Sequence, residues 1–354
     1  MKGLILAGGT GSRLRPLTYT GAKQLLPVAN RPILHYALEA VVAAGITDVG
    51  MVVGDTAAEI EAACGDGRAF GCRITYIRQP APLGLAHAVQ TARPFLGDAP
   101  FLMYLGDNLL KGGVTELVQA FRAADWDAAI LLTPVPHPEQ FGVAVVEGGR
   151  VVRLVEKPRV PPSNLALVGV YLFRPSVHAA IATLTPSWRG ELEITDALQR
   201  LIDAGRTVHA ETVTGWWKDT GRPEDVLEAN RLVLEDLVPR VAGTVDAASR
   251  LDGRVVVEAG ARIVRSTVRG PAIIGPDALV EDSFVGPFTS LGPRVVVRET
   301  EIEHSVVMAD TVLEAVPGRL DGCLLGRGVR VARRRDAPRA FRLVLGDQSH
   351  VEVL

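Results

Sequence analysis

Glycines and fixed positive charges follow the first apolar run of the sequence. The run occupies residues 3–7, the glycine-rich segment occupies residues 8–11, and Arg13 and Lys23 lie beyond it. Glycine lets a backbone approach a ligand closely, and successive backbone N–H groups in a turn bind phosphate oxygens. This pattern therefore predicts a loop that binds a phosphate-bearing ligand, followed by two cations that can neutralise its charge.

Two common phosphate-binding motifs are excluded by the spacing. The dinucleotide-binding fingerprint requires a third glycine at position 14, where Leu14 stands. The P-loop requires Gly-Lys-Ser/Thr after four intervening residues, and that triplet does not follow this loop. Neither a dinucleotide-binding loop nor a P-loop is therefore expected here.

The composition is that of an ordinary globular protein. The chain has 354 residues, of which 47 % are hydrophobic and 22 % charged, and a formal net charge of −2. That charge gives no global basic field to attract nucleic acid or an anionic membrane. Three cysteines without Cys-x-x-Cys spacing favour a reducing compartment and no structural zinc. No apolar run approaches the roughly 18 residues of a membrane span, so we expect a cytoplasmic protein without nucleic-acid or membrane partners.

Short apolar runs alternate with amphipathic segments over roughly the first 235 residues, which is typical of an α/β fold. The continuous apolar run at residues 3–7 is typical of a parallel strand buried on both faces. Strands are predicted for residues 3–7, 49–53, 74–77, 101–105, 128–132, 143–146, 151–155, 165–173 and 208–213. Helices are predicted for residues 32–44, 57–64, 85–92, 114–123, 177–184, 192–204 and 223–237.

Beyond Pro239 the helical pattern gives way to short aliphatic runs separated by glycine, proline and aspartate. Two series of aliphatic residues each have a spacing of six, and the second series is one residue out of phase with the first. The series are Val268, Ile274 and Val280, and then Val285, Leu291 and Val297. A six-residue period predicts a left-handed parallel β-helix, with a few irregular β-hairpins as the alternative. The Arg-rich stretch of residues 327–342 is interpreted as a solvated surface or interface segment.

The motifs together resemble those of the sugar-nucleotide pyrophosphorylase family. That family has an entry motif Gly-Gly-x-Gly-[Thr/Ser]-Arg-Leu-x-Pro and a later Lys-x-x-x-Pro, which this sequence has at residues 8–16 and 23–27. Further matching segments lie at residues 79–86, 105–108, 141–143, 156–158, 168–171, 190–196 and 217–221. The resemblance covers nearly the whole chain and is greatest to long-form members that transfer a thymidylyl group and carry a C-terminal β-helix.

The resemblance implies a fold, a domain division and an activity. A Rossmann-like α/β nucleotidyltransferase domain with a mixed sheet is expected over residues 1–238, followed by a left-handed parallel β-helix over residues 239–354. The implied reaction transfers a thymidylyl group from dTTP to α-D-glucose 1-phosphate, giving dTDP-glucose and pyrophosphate, with Mg²⁺ as cofactor. Similar enzymes supply deoxysugars for bacterial natural products such as antibiotics. The open faces and ends of a β-helix favour a homo-oligomer.

Such a reaction requires charge neutralisation and in-line positioning rather than a general base. The second pKa of a phosphate monoester is near 6, so the attacking phosphate is already mostly a dianion at neutral pH. Two anions must approach each other while negative charge builds on the departing pyrophosphate. No Ser-His-Asp or Cys-His set is therefore expected.

The family resemblance assigns the cations and the metal ligands. Arg13 and Lys23 are similar to the residues that contact the triphosphate, and Lys157 to the lysine that binds the sugar phosphate. Asp107 and Asp219 resemble the ligands of Mg²⁺, an ion that typically takes one or two carboxylates together with phosphate and water oxygens.

The resemblance also implies the residues around the base and the sugar. Nucleotide contacts are implied at Leu6, Gly8, Gly9, Gln79, Pro82, Gly84 and Asp107. Gln79 resembles the reader of the pyrimidine edge, because an amide offers both a donor and an acceptor. Sugar contacts are implied at Gly142, Glu156, Leu167, Tyr171, Glu193 and Trp217, with Glu156 accepting hydrogen bonds from sugar hydroxyls.

Several alternatives stay open at the level of sequence. A uridylyl- or adenylyltransferase is one, because a single methyl group in a pocket is worth only about 1–3 kcal/mol. A non-catalytic regulatory homologue is another, although the charged site residues are present. A third is a bifunctional enzyme whose β-helix transfers an acyl group, with His304 as its candidate residue. Trp217 could also belong simply to the core, and Glu193 could cap or pair on a helix.

Overall fold

The computed structural model describes residues 1–333, 343 and 345–352. These residues form two compact units. The first unit consists of residues 1–10, 21–25 and 33–219, and the second of residues 11–20, 26–32 and those from 220 onward. The predicted domain boundary between residues 238 and 239 stays a prediction. Within the described ranges, no helix combines the length and the apolar character needed to cross a lipid bilayer.

The bounds of the elements are as follows. The helices are α1 Ile33–Ala43, α2 Ala57–Cys64, α3 Leu85–Thr91, α4 Arg93–Leu96, α5 Thr115–Ala123, α6 Ser176–Ala182, α7 Ile194–Asp203 and α8 Pro223–Leu234. The strands up to residue 219 are β1 Lys2–Leu6, β2 Pro27–Val28, β3 Arg31–Pro32, β4 Asp48–Val53, β5 Arg73–Arg78, β6 Phe101–Leu105, β7 Asn108–Leu110, β8 Ala128–Pro134, β9 Gly142–Glu147, β10 Arg150–Glu156, β11 Leu165–Phe173, β12 Val208–Thr212 and β13 Trp217–Asp219. The later strands are β14 Arg240–Val241, β15 Thr244–Val245, β16 Arg250–Asp252, β17 Val255–Val257, β18 Arg262–Val264, β19 Thr267–Arg269, β20 Ala272–Ile274, β21 Leu279–Glu281, β22 Phe284–Val285, β23 Thr289–Leu291, β24 Val296–Arg298, β25 Glu301–Glu303, β26 Val306–Val307, β27 Val312–Glu314, β28 Arg319–Asp321, β29 Leu324–Leu325 and β30 Arg330–Ala332.

The first unit is built around a nine-stranded mixed sheet. Its strand order is β5-β4-β1-β6-β11-β8-β12-β10-β9. The strands β5, β4, β1 and β6 are parallel, whereas β11 runs antiparallel to both β6 and β8. The expectation of an α/β domain with a mixed, Rossmann-like sheet is confirmed.

Both faces of this sheet are buried, as the continuous apolar run of β1 predicts. In β6, Phe101 and Met103 pack into one core cluster, while Leu102 and Tyr104 pack into another. Because side chains alternate across a strand, the two clusters lie on opposite faces. The sheet therefore forms a rigid layer whose strand ends can hold functional groups in fixed positions.

Most element bounds agree with the sequence-based predictions, and the differences have local causes. The predicted helix at residues 223–237 ends earlier, because the Leu237 N–H bonds the Leu234 carbonyl three residues back rather than four. Two short paired strands, β7 and β13, were not predicted. Strands this short carry too little periodicity to be recognised in a sequence.

The second unit contains three ladders of short parallel strands. In one ladder Val257 pairs with Ile274, and Ile274 pairs with Leu291, so equivalent positions of successive turns lie next to each other. The aliphatic side chains of the ladders are buried in one cluster. This is the arrangement of strands expected for a parallel β-helix, and irregular hairpins are excluded for these residues.

A corner of the coil explains why the two six-residue series are out of phase. The step from Val280 in β21 to Val285 in β22 is five residues instead of six. At this corner Asp282 has a left-handed backbone with φ 49°, and the buried side chain of Ser283 follows it. The turn is therefore one residue shorter than three hexapeptides, and the aliphatic pattern slips by one residue at each such corner.

Stacked hydroxyl groups satisfy the backbone along this corner. The Ser266 hydroxyl accepts the Ser283 N–H at 3.0 Å, and the Ser283 hydroxyl accepts the Thr300 N–H at 3.2 Å. The hydroxyl of Ser283 in turn donates to the Glu281 carbonyl at 2.7 Å. The ladder pairs backbone groups that would otherwise be buried without partners, a state that costs about 1–3 kcal/mol each.

Helix α8 is attached to the coil through one buried amide. The side-chain oxygen of Asn230 accepts the Ala29 N–H at 2.8 Å and the Ser290 hydroxyl at 2.7 Å. Its side-chain nitrogen donates to the Phe288 carbonyl at 3.0 Å. Asn230 thus connects the β2–β3 segment, α8 and the coil within the second unit.

Candidate active site

Lys23 lies between the glycine-rich loop and Asp107. A Cβ atom added to Gly9 would come within 2.7 Å of the Lys23 Cε atom, so the lysine stem packs against bare glycine backbone. The Lys23 ammonium group donates a hydrogen bond to the Asp107 carboxylate, and both side chains are largely buried. The register that pairs Leu6 with Leu105 explains this proximity, because the segments after β1 and β6 leave the same edge of the sheet.

Asp107 is held in its ionised form. Burial by itself would raise the pKa of its carboxyl group, but the charge and hydrogen bond of Lys23 lower that pKa below its usual value. The Asn108 amide adds a further hydrogen bond at 3.0 Å. A charged carboxylate is consequently present next to the glycine-rich loop.

The pairing of β13 with β7 brings the second predicted metal ligand to the first. Asp219 lies opposite Asn108, the residue that follows Asp107. Directly opposed residues of antiparallel strands have Cα atoms roughly 4.5–5.5 Å apart, so the two aspartates start from neighbouring backbone positions. Two carboxylates on neighbouring backbone positions form a donor set that suits Mg²⁺, which prefers oxygen ligands.

Trp217 connects this acidic pair with the predicted sugar subsite. Its indole N–H donates to the side-chain oxygen of Asn108 at 2.7 Å, and Asn108 directly follows Asp107 in the chain. Its ring packs edge-on against Phe141, with ring centroids 5.6 Å apart. Phe141 directly precedes Gly142, so Trp217 has a positioning contact on each side, and it also packs against the core cluster of the first unit.

The predicted sugar residues converge around Glu156. A Cβ atom on Gly142 would lie 3.0 Å from the Glu156 Oε2 atom and 3.7 Å from the Leu167 side chain. The hydroxyl of Thr195 donates to the same carboxylate at 3.0 Å. Tyr171 is buried nearby, and burial together with the Glu156 charge raises the pKa of its hydroxyl. These residues come from separate stretches of the chain, yet they lie together around the Glu156 carboxylate.

Arg189 binds three carboxylates in this cluster and was missed by sequence reasoning. Its guanidinium lies 3.5 Å from Glu156, 2.9 Å from Glu191 and 3.3 Å from Glu193. Glu193 occupies the N-cap position of α7 but makes no capping bond with its side chain. Its carboxylate instead accepts the Ser187 hydroxyl at 2.9 Å. A side-chain capping role for Glu193 is therefore wrong, whereas the alternative of a pairing role is borne out by its ion pair with Arg189.

Glu156 is poised differently from Asp107. Burial is the main cause that raises the pKa of the Glu156 carboxyl, and the Glu193 charge raises it further. Lys157, the Thr195 hydrogen bond and Arg189 oppose that rise without cancelling it. A carboxyl group that is costly to ionise gains from hydrogen-bond donors such as sugar hydroxyls.

Lys157 is fixed by its backbone at the end of β10. It has a left-handed conformation with φ 41°, which costs a non-glycine residue about 1–3 kcal/mol. Its N–H donates to the Phe141 carbonyl at 3.0 Å, a bond that holds the strained position. The structure thus places Lys157 directly after the sugar-subsite carboxylate Glu156.

The predicted base-binding loop is bonded to the segment that precedes α7. Leu192 donates its N–H to the Leu83 carbonyl at 2.8 Å and accepts the Ala86 N–H at 3.0 Å. Gly84 between them has φ 103°, and a Cβ atom there would lie 2.4 Å from the Leu192 carbonyl oxygen. Glycine is required at this position. Pro82 in the same loop is exposed.

Gln24 is a second residue that sequence reasoning missed. Its side chain is only 1 % exposed, and its amide nitrogen lies 3.5 Å from the position of a Cβ atom on Gly9. Its side-chain oxygen has no hydrogen-bond partner among the described residues. A buried oxygen in that state costs about 1–3 kcal/mol, and a ligand donor would remove this cost. The position of Gln24 next to Lys23 was the signal available in the sequence.

Two predicted residues belong to the second unit. Arg13 lies exposed in the short 3-10 helix Ser12–Leu14, and its role at the triphosphate stays a prediction. His304 is exposed, contacts Asp321 at 2.8 Å and stacks on Phe288.

Of the Arg-rich stretch, Arg327, Arg330 and Arg333 are exposed. The other arginines of that stretch, Arg334, Arg335, Arg339 and Arg342, lie outside the described residues.

Comparison with known sequences identifies relatives whose similarity extends over the whole chain. The chain is 56 % identical over 354 residues to the glucose-1-phosphate thymidylyltransferase of Streptomyces griseus, covering 100 % of this chain and 99 % of the relative. It is 49 % identical over 358 residues to the low-salt glycan biosynthesis nucleotidyltransferase Agl11 of Haloferax volcanii, with 100 % of both chains covered.

Two solved structures have a similar fold over part of this chain. A glucose-1-phosphate thymidylyltransferase from Bacillus anthracis in complex with sucrose matches with a TM-score of 0.62 and 36 % identity, covering 66 % of this chain and 94 % of the other. A UDP-glucose pyrophosphorylase complexed with UDP-glucose matches with a TM-score of 0.61 and 27 % identity, covering 66 % of this chain and 98 % of the other.

The family model for nucleotidyl transferases matches residues 2–236, the stretch that contains the glycine-rich loop, the acidic pair and the Glu156 cluster. The chain belongs to the nucleotidyl transferase family.

Proposed function

We propose that the chain is a Mg²⁺-dependent thymidylyltransferase that joins dTTP and α-D-glucose 1-phosphate, giving dTDP-glucose and pyrophosphate. The observation that carries this proposal is the meeting, within one unit, of the acidic pair Asp107–Asp219 and the Glu156 cluster, connected by Trp217. The 56 % identity over the whole chain to the Streptomyces griseus protein supports the choice of substrates. The product would enter the biosynthesis of deoxysugars, including those of antibiotics.

In this reaction an oxygen of the sugar phosphate attacks the α-phosphorus of dTTP. A phosphorus–oxygen bond forms to the sugar phosphate, and the bond to pyrophosphate breaks. The attacking group is already a dianion, so no side chain has to remove a proton. Lys157 beside Glu156 would bind the sugar phosphate, and Lys23 with Arg13 would neutralise the triphosphate. Fixed cations of this kind stabilise a transition state in which charge is building up.

The acidic pair would hold the metal ion. Asp107 and Asp219 supply oxygen ligands from adjacent backbone positions, and the Asp107 carboxyl has a lowered pKa. When bound, Mg²⁺ supplies electrophilic stabilisation of the phosphate oxygens. Because Lys23 bonds Asp107, its ammonium group would lie beside the metal site, where it would neutralise phosphate charge.

Pyrophosphate release tests the proposal directly. The protein is mixed with dTTP, glucose 1-phosphate and Mg²⁺, and release is expected to stop when EDTA is added. Asp219→Asn should reduce turnover by about 10²-fold or more, whereas the exposed Asp125→Asn should not. A protein that releases no pyrophosphate at high concentration, or that works unchanged in EDTA, contradicts the proposal. Arg13→Ala is likewise expected to lose about 10²-fold in turnover, and near-normal activity would remove Arg13 from the mechanism.

A uridylyltransferase is the second candidate, because a UDP-glucose pyrophosphorylase is among the structural neighbours. The thymine methyl group changes binding by only about 1–3 kcal/mol, so related enzymes can differ in this preference. Turnover of dTTP, UTP, CTP and ATP under the same conditions decides between the two activities. A higher kcat/KM with UTP than with dTTP would select the second candidate.

For the second unit we propose a left-handed parallel β-helix that mediates homo-oligomer formation. The three parallel ladders support it. Each turn through Val257, Ile274 and Leu291 contains three repeats of about six residues, which is the period of this kind of coil, with one residue fewer at one corner. Light scattering over a range of protein concentrations tests the oligomer, and a monomer at all concentrations overturns it. A crystal structure with right-handed turns would overturn the handedness.

A further inference from the structure

We propose that His87 is a positioning residue that fixes the carboxamide of Gln79, so that Gln79 offers only an acceptor to the nucleotide base. The consequence is a preference for bases with an imino N–H, such as thymine and uracil, over cytosine. This inference builds on the proposed function, because it concerns the base of the nucleotide that the site takes.

The neighbours of Gln79 determine which end of its amide is the nitrogen. One end lies 3.3 Å from the Gly84 carbonyl oxygen and 2.9 Å from the His87 Nδ1 atom. A backbone carbonyl can only accept, so the group beside it must be the NH₂ of Gln79. His87 Nδ1 must then accept the second N–H, and the ring carries its proton on Nε2.

This arrangement uses both N–H groups of Gln79 and leaves its oxygen for a ligand. Among the described residues the Oε1 atom accepts no hydrogen bond, and it lies 3.6 Å from the position of a Cβ atom on Gly8. The oxygen therefore faces the glycine-rich loop. The sequence-based view that Gln79 offers both a donor and an acceptor to the base needs this correction, because its donors are already engaged.

Both acceptors that hold the amide lie at the start of one helix. Gly84 is the N-cap of α3, and His87 lies in the first turn of that helix. The helix start is bonded to Leu192 on both sides of Gly84. Without His87, the amide would keep only the longer contact to Gly84, and the flipped orientation, with oxygen and nitrogen exchanged, would become available to it.

The chemistry of the bases turns this orientation into selectivity. Thymine and uracil carry a hydrogen on N3 and can donate to the Gln79 oxygen, whereas cytosine has a lone pair at N3. Two opposed acceptors repel and leave a desolvated group without a partner. An amide that could rotate would serve either kind of base, so the Gly84 carbonyl and the shorter His87 contact together exclude cytosine.

Two variants separate the acceptor from the ring. His87→Phe retains a ring and removes the acceptor, while His87→Asn removes the ring and places an oxygen where Nδ1 stood. We expect His87→Phe to lower the ratio of kcat/KM for dTTP over dCTP by about tenfold, the equivalent of one hydrogen bond. The ratio for dTTP over dUTP should not change, since both carry the imino N–H. His87→Asn should restore the dTTP over dCTP ratio.

Binding measurements keep this test independent of the proposed reaction. Equilibrium dialysis of dTTP, dUTP and dCTP against each variant gives the same ratios without turnover, and His87→Leu replaces His87→Phe if the latter does not fold. Absence of turnover with selective binding retained would refute the proposed reaction and not the role of His87. An unchanged dTTP over dCTP ratio in the variant without an acceptor, equal changes for dUTP and dCTP, or no nucleotide binding at all would overturn the role of His87.

Discussion

The ammonium group of Lys23 bonds the carboxylate of Asp107, 84 residues further along the chain, while its stem packs against Gly9. One lysine therefore links the loop that would bind phosphate to the carboxylate that would bind metal. The pairing lowers the pKa of Asp107 against the effect of burial. The ion pair is thus a device that keeps a buried acid charged.

The first prediction concerns this ion pair. In Lys23→Met the effect of burial should dominate and the pKa of Asp107 should rise, so the acid limb of the kcat/KM profile should move to higher pH. Turnover at neutral pH should fall by about 10²-fold because a phosphate cation is also lost. Lys23→Arg, which retains the charge, should keep the acid limb in place. An acid limb that is identical in all three proteins would show that Lys23 does not control Asp107.

The second prediction is that replacing Glu156 increases thermal stability but weakens sugar-phosphate binding. Because folding raises the pKa of Glu156, its protonated form favours the native state at low pH, and this contribution is lost as the pH rises through the raised value. Glu156→Gln should therefore raise the melting temperature at neutral pH, with a smaller gain near the usual glutamate pKa. The KM for glucose 1-phosphate should rise about tenfold or more, as expected for a lost bond to a charged acceptor. Glu147→Gln, an exposed site on the same hairpin, should change neither quantity.

The third prediction concerns Arg189, which lies close to three carboxylates. Arg189→Met leaves those charges uncompensated, so the pKa of Glu156 should rise and the sugar subsite should loosen. We expect the KM for glucose 1-phosphate to increase about tenfold while the Kd of dTTP stays within about twofold. The exposed Arg122→Met on α5 is the matched control. Equal losses for both substrates would point to general unfolding instead.

The fourth prediction uses the lack of space at Gly142. A methyl group there would lie 2.7 Å from the Thr195 Cγ2 atom and 3.0 Å from the Glu156 carboxylate. Gly142→Ala should displace the Glu156 carboxylate and reduce kcat/KM for glucose 1-phosphate by about 10²-fold. Gly326→Ala, where the nearest side-chain atom is 3.4 Å away, should leave kcat/KM unchanged in the same assay. Normal kinetics of Gly142→Ala would show that the side chains of Thr195 and Glu156 move aside without loss of function.

The fifth prediction separates the coil from the chemistry. Ser283→Ala removes the hydroxyl that accepts the Thr300 N–H, and should cost about 1–3 kcal/mol of unfolding free energy in the second unit. Ser283→Thr should be tolerated, because Thr300 makes the equivalent contact in the next turn. Urea titration measures the loss. If Ser283→Ala is as stable as the unchanged protein, the hydroxyl ladder does not stabilise the coil.

Local patterns in the sequence were sufficient for much of the fold. The continuous apolar run of β1 and the periodicity of α1 and α2 reflect burial that each segment experiences alone, so they could be predicted from spacing. The glycine-rich loop after β1 was equally evident, since glycine and a following arginine and lysine act through their own backbone and charge. Even the phase slip between Val280 and Val285 was visible as a spacing before the coil explained it.

Tertiary structure decided which of these residues work together. Asp219 lies opposite Asn108, the neighbour of Asp107 in the chain, only because β13 pairs with β7 in one register, and a shift of one residue would place another side chain there. Arg189 contacts Glu156 across 33 residues, and the Gln79 amide lies beside both His87 and the Gly84 carbonyl. Such contacts depend on the positions of separate strands and helices in space. A linear pattern records the preference of each segment for burial or exposure, but not the partner that packing brings to it.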